Sequence, residues 1–242
     1  MVGYGAPVAL ITGAAGGLGR AAVSRLRERN MRVVATDLAL AEIPCGAPMT
    51  VASLDVTDEE AIRAVVARVL KEHGRLDHVI HLAGVAGRGP IDVVETEEWR
   101  RLIDVNLTSA FLIARATHAP LAETRGSLIL ASSTNGLSGG SALSGPAYAV
   151  AKAGLINLAR YLAKEWSSEG IRVNCLAPGP IKTPMVTGRF SPDVQKSLEA
   201  SVPLGRLGEP EHVAHAIDYL TSPAAAFVTG TVMNISGGVV LD

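Results

Sequence analysis

The sequence predicts a doubly wound α/β fold, in which about seven parallel strands form one sheet with helices on both faces. Short strand-like runs alternate with longer helical patterns along the whole chain, which is typical of parallel strands joined by crossover helices. Several of these runs are apolar throughout, as expected of strands that helices cover on both sides. The predicted strands are residues 8–12, 32–37, 50–55, 78–83, 127–132, 172–177 and 232–235.

Length and composition favour one globular domain over residues 1–242. The chain has 242 residues, 48% of them hydrophobic, which suffices for one sizeable core but not for two large domains and a linker. Its formal net charge is -1 at pH 7, and like charges form no block. Because nothing in this pattern resembles a phosphate-neutralising surface, nucleic acid is not expected as a partner.

The chain also lacks the sequence patterns of membrane and export segments. Its apolar stretches are interrupted every few residues by Gly, Asp or Arg, well short of the roughly 20 residues that span a bilayer. The N-terminus leads directly into the first predicted strand, without the charged and apolar regions of an export signal. We therefore expect a cytoplasmic protein with no membrane partner.

The cysteines and histidines do not follow a metal-binding pattern. Cys45 and Cys175 lie far apart and form no Cys-x-x-Cys motif, so reduced thiols are favoured over a disulfide or a zinc site. His212 and His215 share a predicted helix face without an evident third ligand, which favours a surface or packing role. No metal is expected.

A glycine-rich segment follows the first predicted strand and precedes a helical pattern. Its glycines let the backbone turn tightly and approach a pyrophosphate, while the following helix presents free N–H groups and its positive dipole end. Between a strand and a helix, this pattern favours a dinucleotide site over a surface turn. The segment is Thr12-Gly13-Ala14-Ala15-Gly16-Gly17-Leu18-Gly19.

The spacing Thr-Gly-x3-Gly-x-Gly resembles that of the short-chain dehydrogenase/reductase family, in its compact single-domain branch. The resemblance covers nearly the whole chain, down to Gly237 and Gly238 after the last predicted strand. It implies a Rossmann-type fold and an alcohol dehydrogenase or carbonyl reductase with a nicotinamide cofactor. It also implies a homotetramer or homodimer built on the helices that hold Asn106 and Tyr148.

The end of the second predicted strand favours NAD over NADP. Asp37 lies where a carboxylate can accept hydrogen bonds from both adenosine ribose hydroxyls and repel a 2′-phosphate, although a solvated loop carboxylate is the alternative. NADP-preferring relatives commonly carry a basic residue at the positions that Gly16 and Leu38 occupy here. Asp55 and Val56, after the third strand, resemble the family's adenine-contacting pair.

Tyr148 and Lys152 are four residues apart and therefore share one helix face. An unperturbed tyrosine has a pKa of about 10, so a proton carrier near neutral pH needs a stabilised phenolate. Lowering the pKa by about three units takes about 4 kcal/mol, comparable to one ion pair at about 4 Å with an effective dielectric near 20. Lys152, helped by the positive charge of oxidised nicotinamide, is predicted to supply this.

The resemblance assigns two further catalytic residues. Ser133 matches the serine that hydrogen-bonds the substrate oxygen, with Ser132 as the competing assignment. Ser133 lies 15 residues before Tyr148, against 13 in many relatives, which we interpret as a two-residue loop insertion. Asn106 matches the helix asparagine that helps to hold a water beside the lysine.

After the fourth strand this chain departs from the family. Relatives usually show Asn-Asn-Ala-Gly there, whereas this chain has His81 followed by Leu82, Ala83 and Gly84. The last three residues are still expected to pass the cofactor with their backbone, but without the side-chain hydrogen bonds of the asparagines. By resemblance, the segment after the sixth strand contacts nicotinamide, with Thr183 near the carboxamide. The complete predicted cofactor set is Gly13, Ala15, Gly16, Gly17, Leu18, Gly19, Asp37, Leu38, Asp55, Val56, Leu82, Ala83, Gly84, Tyr148, Lys152, Pro178, Gly179, Ile181 and Thr183.

Residues 184–208 look like the mobile substrate lid of this family. Their apolar side chains predict a hydrophobic or aromatic secondary alcohol, or its ketone, as substrate. An amphipathic helix that only packs on the domain is an equally weighted interpretation. The apolar side chains are Met185, Val186, Phe190, Val194, Leu198 and Leu204.

Two other functions remain as alternatives. The first is a 3-oxoacyl-acyl-carrier-protein reductase that uses NADPH; Asp37 counts against it, and Glu123 and Glu169 dilute a basic docking patch to which Arg125 would contribute. The second is a non-catalytic NAD-binding protein with the same fold. The presence of all four predicted catalytic residues counts against the second.

Overall fold

The computed structural model describes residues 5–43 and 49–241, and a seven-stranded parallel sheet forms the centre of this part of the chain. The strand order is β3-β2-β1-β4-β5-β6-β7, and every neighbouring pair is parallel. The predicted doubly wound fold is therefore confirmed. The strands are β1 Val8–Thr12, β2 Arg32–Asp37, β3 Met49–Ser53, β4 His78–His81, β5 Ser127–Ala131, β6 Arg172–Pro178 and β7 Val232–Ile235.

Five boundaries, in four of the strands, differ by one or two residues from the prediction. The third, fourth and fifth strands end earlier than expected, the third also begins one residue earlier, and the sixth continues to residue 178. The apolar pattern does not mark the ends of these strands, because it continues beyond the residues that pair in the sheet. For example, Leu54 and Val56 are buried although they lie in the loop after β3. Burial, rather than strand pairing, produced the signal.

Helices cover both faces of the sheet. A π-helical turn over Asp104–Thr108 joins the third helix to the fourth. The first and ninth helices pack on one face, and the second, fourth and sixth pack on the other. The helices are α1 Gly17–Glu28, α2 Glu59–His73, α3 Thr96–Ile103, α4 Ser109–Thr124, α5 Thr134–Ser138, α6 Pro146–Glu165, α7 Pro184–Thr187, α8 Pro192–Ala200 and α9 Pro210–Thr221.

Strand β1 shows why the central strands are apolar throughout. Val8 and Leu10 belong to the core on the side of α2, α4 and α6, whereas Ala9 and Ile11 belong to the core on the side of α1 and α9. All four are fully buried. Because successive side chains point to opposite faces, a strand covered on both sides needs apolar residues at every position.

The sheet topology indicates where a ligand binds. The order reverses between β1 and β4, so the chain leaves these neighbouring strands in opposite directions and opens a crevice at their carboxyl ends. The two loops at this crevice lie close together, since a Cβ atom on Gly13 would come within 2.6 Å of the backbone nitrogen of Ala83. The predicted cofactor segments converge there.

The structure also places the cysteines and histidines that the sequence analysis considered as metal ligands. Cys175 is a buried free thiol in β6, and burial raises its pKa to about 11; Cys45 lies outside the described residues. His212 and His215 are exposed on α9. Within residues 5–43 and 49–241, no group of three or more His, Cys, Asp or Glu side chains is arranged to hold a metal ion. In the same ranges no helix combines the length and the apolar character that a membrane crossing requires.

Candidate active site

Two cavities adjoin at the carboxyl edge of the sheet. The first cavity, of about 810 Å³, follows the loops after β1, β2, β3 and β4, and α3 closes its far side. The second cavity, of about 250 Å³, lies between the loops after β5 and β6 and the segment 184–208. Leu18, Thr183 and Met185 line both cavities, so a molecule in one can touch a molecule in the other.

The glycine-rich loop forms one wall of the first cavity. A Cβ atom on Gly19 would lie 2.1 Å from the carbonyl oxygen of Gly13, and one on Gly17 would lie 2.7 Å from Cγ2 of Thr183. No side chain caps the start of α1 at Gly16, and its first turn carries no acidic residue. The bare helix terminus and the tight, side-chain-free loop fit the pyrophosphate of a dinucleotide.

Asp37 lies at the rim of the first cavity in a fixed orientation. Its Oδ2 accepts a hydrogen bond of 3.0 Å from the amide of Ala15, and its Oδ1 accepts one of 3.1 Å from the amide of Ala39. A carboxylate has about four acceptor positions, so two remain for ribose hydroxyls. Ala15 itself is buried and faces Asp37. The neighbouring Leu38 is 68% exposed and brings no positive charge.

One nearby cation was missed by the sequence reasoning. Arg20 donates to the carbonyl oxygen of Ala15 at 2.7 Å and forms an ion pair of 3.1 Å with Glu42. The position of Arg20 inside α1 gave no signal, because its proximity to the end of β2 arises only when the helix packs back on the sheet. Its pairing with Glu42 leaves the rim without a free positive charge from this residue.

The other residues that were predicted to contact adenine or nicotinamide line one or the other of the two cavities. Asp55, Val56 and the residues Leu82, Ala83 and Gly84 line the first cavity, and Pro178, Gly179 and Ile181 line the second. Helix α3 contributes Glu97, Arg100 and Arg101 to the first cavity, which the sequence did not indicate. These three residues follow a long loop, so their approach depends on tertiary packing.

Two of the predicted catalytic side chains, Ser133 and Tyr148, line the second cavity, and Lys152 lies behind Tyr148. Tyr148 and Lys152 lie in α6, which begins with Pro146 after Gly145 at a φ of 74°. Nζ of Lys152 lies 5.4 Å from the centre of the Tyr148 ring and donates a hydrogen bond of 2.8 Å to the carbonyl oxygen of Ala131. The ammonium group is thus buried behind the tyrosine rather than exposed on the helix surface.

The geometry distinguishes the two candidate serines. The Ser132 hydroxyl donates a hydrogen bond of 2.6 Å to the carbonyl oxygen of Lys152, which fixes it to the backbone of α6. The Ser133 hydroxyl lies close enough to Tyr148 to lower the pKa of the phenol, and it accepts a hydrogen bond of 3.2 Å from the amide of Asn135. Ser133 is therefore the serine beside the phenol. Helix α5 and a turn lie between Ser133 and the start of α6, which carries Tyr148.

Asn106 lies in the π-helical turn between α3 and α4. Its Oδ1 accepts a hydrogen bond of 3.2 Å from the amide of Val85, and its Nδ2 donates at 2.9 Å to the carbonyl oxygens of Val85 and Leu102. A Cβ atom on Gly84 would meet Asn106 Oδ1 at 2.7 Å and Lys152 Nζ at 3.1 Å. The Asn106 side chain therefore holds the loop after β4 close to the lysine, and its expected role in holding a water stays a prediction.

Burial dominates the electrostatics at Tyr148. Burial raises the pKa of the phenol, and the hydrogen bond with Ser133 and the positive charge of Arg189 oppose this without reversing it. Burial also lowers the pKa of Lys152 to about 8. Burial of both side chains therefore opposes the lowering of the tyrosine pKa that was expected from Lys152 together with the positive charge of oxidised nicotinamide. Because that expectation concerns the complex with the cofactor, it stays a prediction.

His81 supplies hydrogen bonds where none were expected. Its Nε2 lies 3.0 Å from Oγ of Ser109, which donates to the carbonyl oxygen of Val105, and its Nδ1 lies 2.8 Å from Oγ1 of Thr12. Oγ1 of Thr12 also accepts from the amide of Ala83 at 3.4 Å. This network assigns the proton to Nε2 and connects the loop after β4 to the π-helical turn.

The burial of His81 predicts acid sensitivity. Its pKa falls from the ordinary 6.5 to about 3 in the folded protein, mainly through burial and also through the charge of Lys152. Below pH 6.5, His81 binds a proton in the unfolded chain but stays neutral in the folded protein. The free energy of unfolding therefore falls by up to about 1.4 kcal/mol per pH unit towards pH 3. Urea unfolding of the His81→Asn variant at several pH values should show a shallower decline.

His215→Asn is the matched control, because His215 is exposed on α9. The control variant should keep the pH dependence of the wild type. Equal slopes for wild type and His81→Asn between pH 6.5 and 4.5 would contradict the assignment of a neutral, buried His81.

The segment 184–208 contributes both apolar and charged residues to the second cavity. Met185, Val186, Phe190 and Leu198 line the cavity, and the closing of this segment as a lid stays a prediction. Val194 is not among its lining residues, and Leu204 is 71% exposed. The sequence reasoning missed Arg189, which also lines the cavity. A basic residue beside Phe190 in a substrate-contacting segment was the available signal.

Known proteins resemble the chain over nearly its whole length. Residues 13–240 match a family model described as "Enoyl-(Acyl carrier protein) reductase". Cis-4-hydroxycyclohexanecarboxylate dehydrogenase of Sinomonas cyclohexanicum is 38% identical over 240 residues, which cover 96% of this chain and 95% of the relative. The 3-oxoacyl-(acyl-carrier-protein) reductase FabG of Escherichia coli (strain K12) is 35% identical over 238 residues, 96% of each protein. The solved structure of ligand-free Thermoplasma acidophilum aldohexose dehydrogenase (AldT) has a TM-score of 0.87 at 27% identity, over 97% of this chain and 94% of that one.

The family model and both sequence relatives match nearly the whole chain. All three named relatives are dehydrogenases or reductases. The chain therefore belongs to the short-chain dehydrogenase/reductase family and is an oxidoreductase that acts, with a nicotinamide cofactor, on CH–OH or carbonyl groups of small molecules.

Proposed function

We propose that this enzyme transfers a hydride between NAD(H) and a hydrophobic or aromatic secondary alcohol or its ketone. The observation that carries the proposal is the cluster of Ser133, Tyr148 and buried Lys152 beside the second cavity, with Asp37 at the rim of the first. The cluster suits a proton transfer at an alcohol oxygen. The rim suits a dinucleotide without a 2′-phosphate.

The residues of the first cavity fit a dinucleotide cofactor. The glycine-rich loop and the start of α1 would hold the pyrophosphate, Asp37 the adenosine ribose, and Asp55 with Val56 the adenine. The loop after β4 and Thr183 would hold the nicotinamide end between the two cavities. The chemistry that a bound oxidised cofactor would supply here is the acceptance of a hydride and a positive charge near the catalytic cluster.

The catalytic residues have separate roles in the proposed oxidation. Tyr148 takes the proton from the alcohol oxygen, and Ser133 donates a hydrogen bond to that oxygen. Lys152 stabilises the negative charge that forms on the phenol, and its buried position makes this interaction stronger than in water. Asn106 keeps the loop after β4 beside Lys152. In the reverse direction Tyr148 returns the proton to the carbonyl oxygen.

The second cavity supports an apolar ring as the substrate body. Its volume of about 250 Å³ suits a small ring, and Met185, Val186 and Phe190 supply apolar contacts. The relative from Sinomonas cyclohexanicum is named for a substrate with a hydroxyl group on a saturated ring. We propose that residues 184–208 close over the substrate as a lid.

We also propose that α4 and α6 form the interface of a homodimer or homotetramer. Phe111 in α4 and Val150 in α6 are exposed apolar side chains that such an interface would cover.

A 3-oxoacyl-acyl-carrier-protein reductase that uses NADPH is the second candidate, because FabG is among the named relatives. The rim of the first cavity counts against NADPH, since Asp37 repels a phosphate and Leu38 offers no cation. Arg125, expected to contribute to a docking patch, follows α4 and precedes β5, at the edge of the sheet opposite the two cavities. A docking patch at the cavity mouth cannot include it.

Initial rates with a substrate panel test the proposal. The panel contains cyclohexanol, 1-phenylethanol and cyclohexanone-type ketones with NAD(H), and acetoacetyl thioesters with NADPH, followed by absorbance of the reduced nicotinamide. We expect the ring alcohols with NAD⁺ to give the highest kcat/KM. A kcat/KM for the thioester and NADPH that exceeds every alcohol by about tenfold or more would place the second candidate first.

A further inference from the structure

Arg189 is the charged residue among the described residues that line the second cavity. It lies in the loop between α7 and α8 and is half-buried. The other lining residues near it are apolar or carry hydroxyl groups, such as Phe190, Met185 and Ser141. A single cation therefore faces a small cavity beside the catalytic tyrosine.

The guanidinium of Arg189 has unused hydrogen-bond donors. Its Nη2 donates to the carbonyl oxygen of Leu143 at 2.9 Å and also to that of Gly87. No hydrogen bond joins its Nε or Nη1 to an acceptor in residues 5–43 or 49–241. Since a guanidinium has five N–H donors, three are left for a ligand. The two existing bonds hold the group in place over the cavity.

The charge of Arg189 is also unbalanced. Across the described ranges, no carboxylate lies within ion-pair distance of it. Burial lowers the pKa of Arg189, and the like charge of Arg88 lowers it further. A half-buried cation without a partner is unfavourable, so an anion bound at this place is stabilised by both the charge and the free donors.

Arg189 lies in the same cavity as Tyr148, the group that exchanges a proton with the substrate. Its positive charge acts on Tyr148, which shows that the two side chains share the second cavity. The Phe190 ring lies under the guanidinium, with its centre 5.3 Å from the Arg189 Cζ atom. A ligand that reaches both Tyr148 and Arg189 in this cavity also contacts its apolar lining, which includes Met185, Val186 and Phe190.

We infer that Arg189 binds a carboxylate of the substrate, so that the substrate class is a hydroxy acid or oxo acid in which an apolar ring separates the carboxylate from the reacting carbon. The inference rests on the proposed function for the place of the reacting oxygen at Tyr148. In the oxidation, the hydride leaves the carbinol carbon for NAD⁺ and the hydroxyl proton goes to Tyr148. The carboxylate is unchanged and serves for recognition.

Calorimetric binding of two unreactive ligands tests the inference without turnover. Cyclohexanecarboxylate and its neutral isostere cyclohexanecarboxamide are titrated into the whole protein, with and without NAD⁺. We expect the wild type to prefer the carboxylate by about tenfold or more, as for a hydrogen bond to a charged group. The Arg189→Gln variant should lose this preference, and Arg189→Lys should keep part of it. Lys196→Gln, which removes an exposed charge from α8, is the matched control.

Kinetics separate recognition from a purely structural role of Arg189. With 4-hydroxycyclohexanecarboxylate and NAD⁺, Arg189→Gln should raise KM by about 30-fold and change kcat by less than about threefold. With the neutral 4-hydroxycyclohexanecarboxamide, the same variant should change both constants by less than about threefold. If Arg189 only fastens the loops at Gly87 and Leu143, both substrates will lose kcat/KM to the same degree, and the inference is wrong.

The two proposals fail in different ways. Equal wild-type affinity for the carboxylate and the amide overturns the inference, while continued oxidation of neutral ring alcohols with NAD⁺ leaves the proposed function standing. Carboxylate binding that depends on Arg189, without oxidation of any ring alcohol, supports the inference about the cavity and overturns the proposed reaction.

Discussion

The Tyr148→Phe variant should lower kcat for a ring alcohol with NAD⁺ by about a thousandfold, while the Kd for NADH changes by less than about threefold. The substitution removes one oxygen atom and keeps a ring in the same buried place. The proton of the alcohol then has no acceptor within the cavity, because the Ser133 hydroxyl is not a base at neutral pH. Steady-state rates and NADH fluorescence titration measure the two effects separately.

Tyr161→Phe provides the control within the same helix. Tyr161 lies in α6 as Tyr148 does, but it is 61% exposed and its hydroxyl donates to Glu165. The control variant should keep kcat within about twofold of the wild type. A Tyr148→Phe variant with more than about a tenth of the wild-type kcat would show that another group carries the proton.

The Lys152→Met variant should lose activity without losing stability. Lys152 is 4% exposed and its ammonium group makes one hydrogen bond, to Ala131, among the described residues. A buried cation with so few partners is costly, and an apolar side chain of similar length avoids that cost. We therefore expect kcat/KM to fall by about a hundredfold or more and the melting temperature to stay equal or rise.

Lys164→Met is the matched comparison, since Lys164 is exposed in the last turn of α6. It should change kcat/KM by less than about twofold. Calorimetric melting and steady-state rates cover both variants. A Lys152→Met protein that unfolds at a clearly lower temperature would mean that Lys152 serves the fold, and the activity loss would then say nothing about the phenolate.

The parts of this enzyme that sequence reasoning predicted depend on local patterns. The central strand β1 and the glycine loop after it are recognisable because burial on both faces leaves an apolar run, and the tight turn admits only glycine at positions such as Gly19. Tyr148 and Lys152 follow from one helical spacing. Each of these signals is contained within a few consecutive residues.

The parts that were missed depend on packing between distant segments. His81 gains its partners only when α4 brings Ser109 against the end of β4, and Arg189 reaches the cavity only through the loops at Gly87 and Leu143. The position of Arg125 away from the cavity mouth could not be predicted for the same reason, since the end of a sheet at which a residue lies is a tertiary property. The raised pKa of Tyr148 depends on burial, which the helical spacing alone does not give.

Titration of NADH and NADPH against the wild type, Asp37→Ala and Asp37→Asn tests the central claim, that Asp37 makes this enzyme NAD-linked. The wild type should bind NADH more tightly by at least about tenfold, or about 1.4 kcal/mol, and both variants should lose that preference. Asp37→Asn keeps the size of the side chain, so its effect reports the charge that repels a 2′-phosphate. Tighter binding of NADPH by the wild type, or an unchanged preference in both variants, would contradict the account.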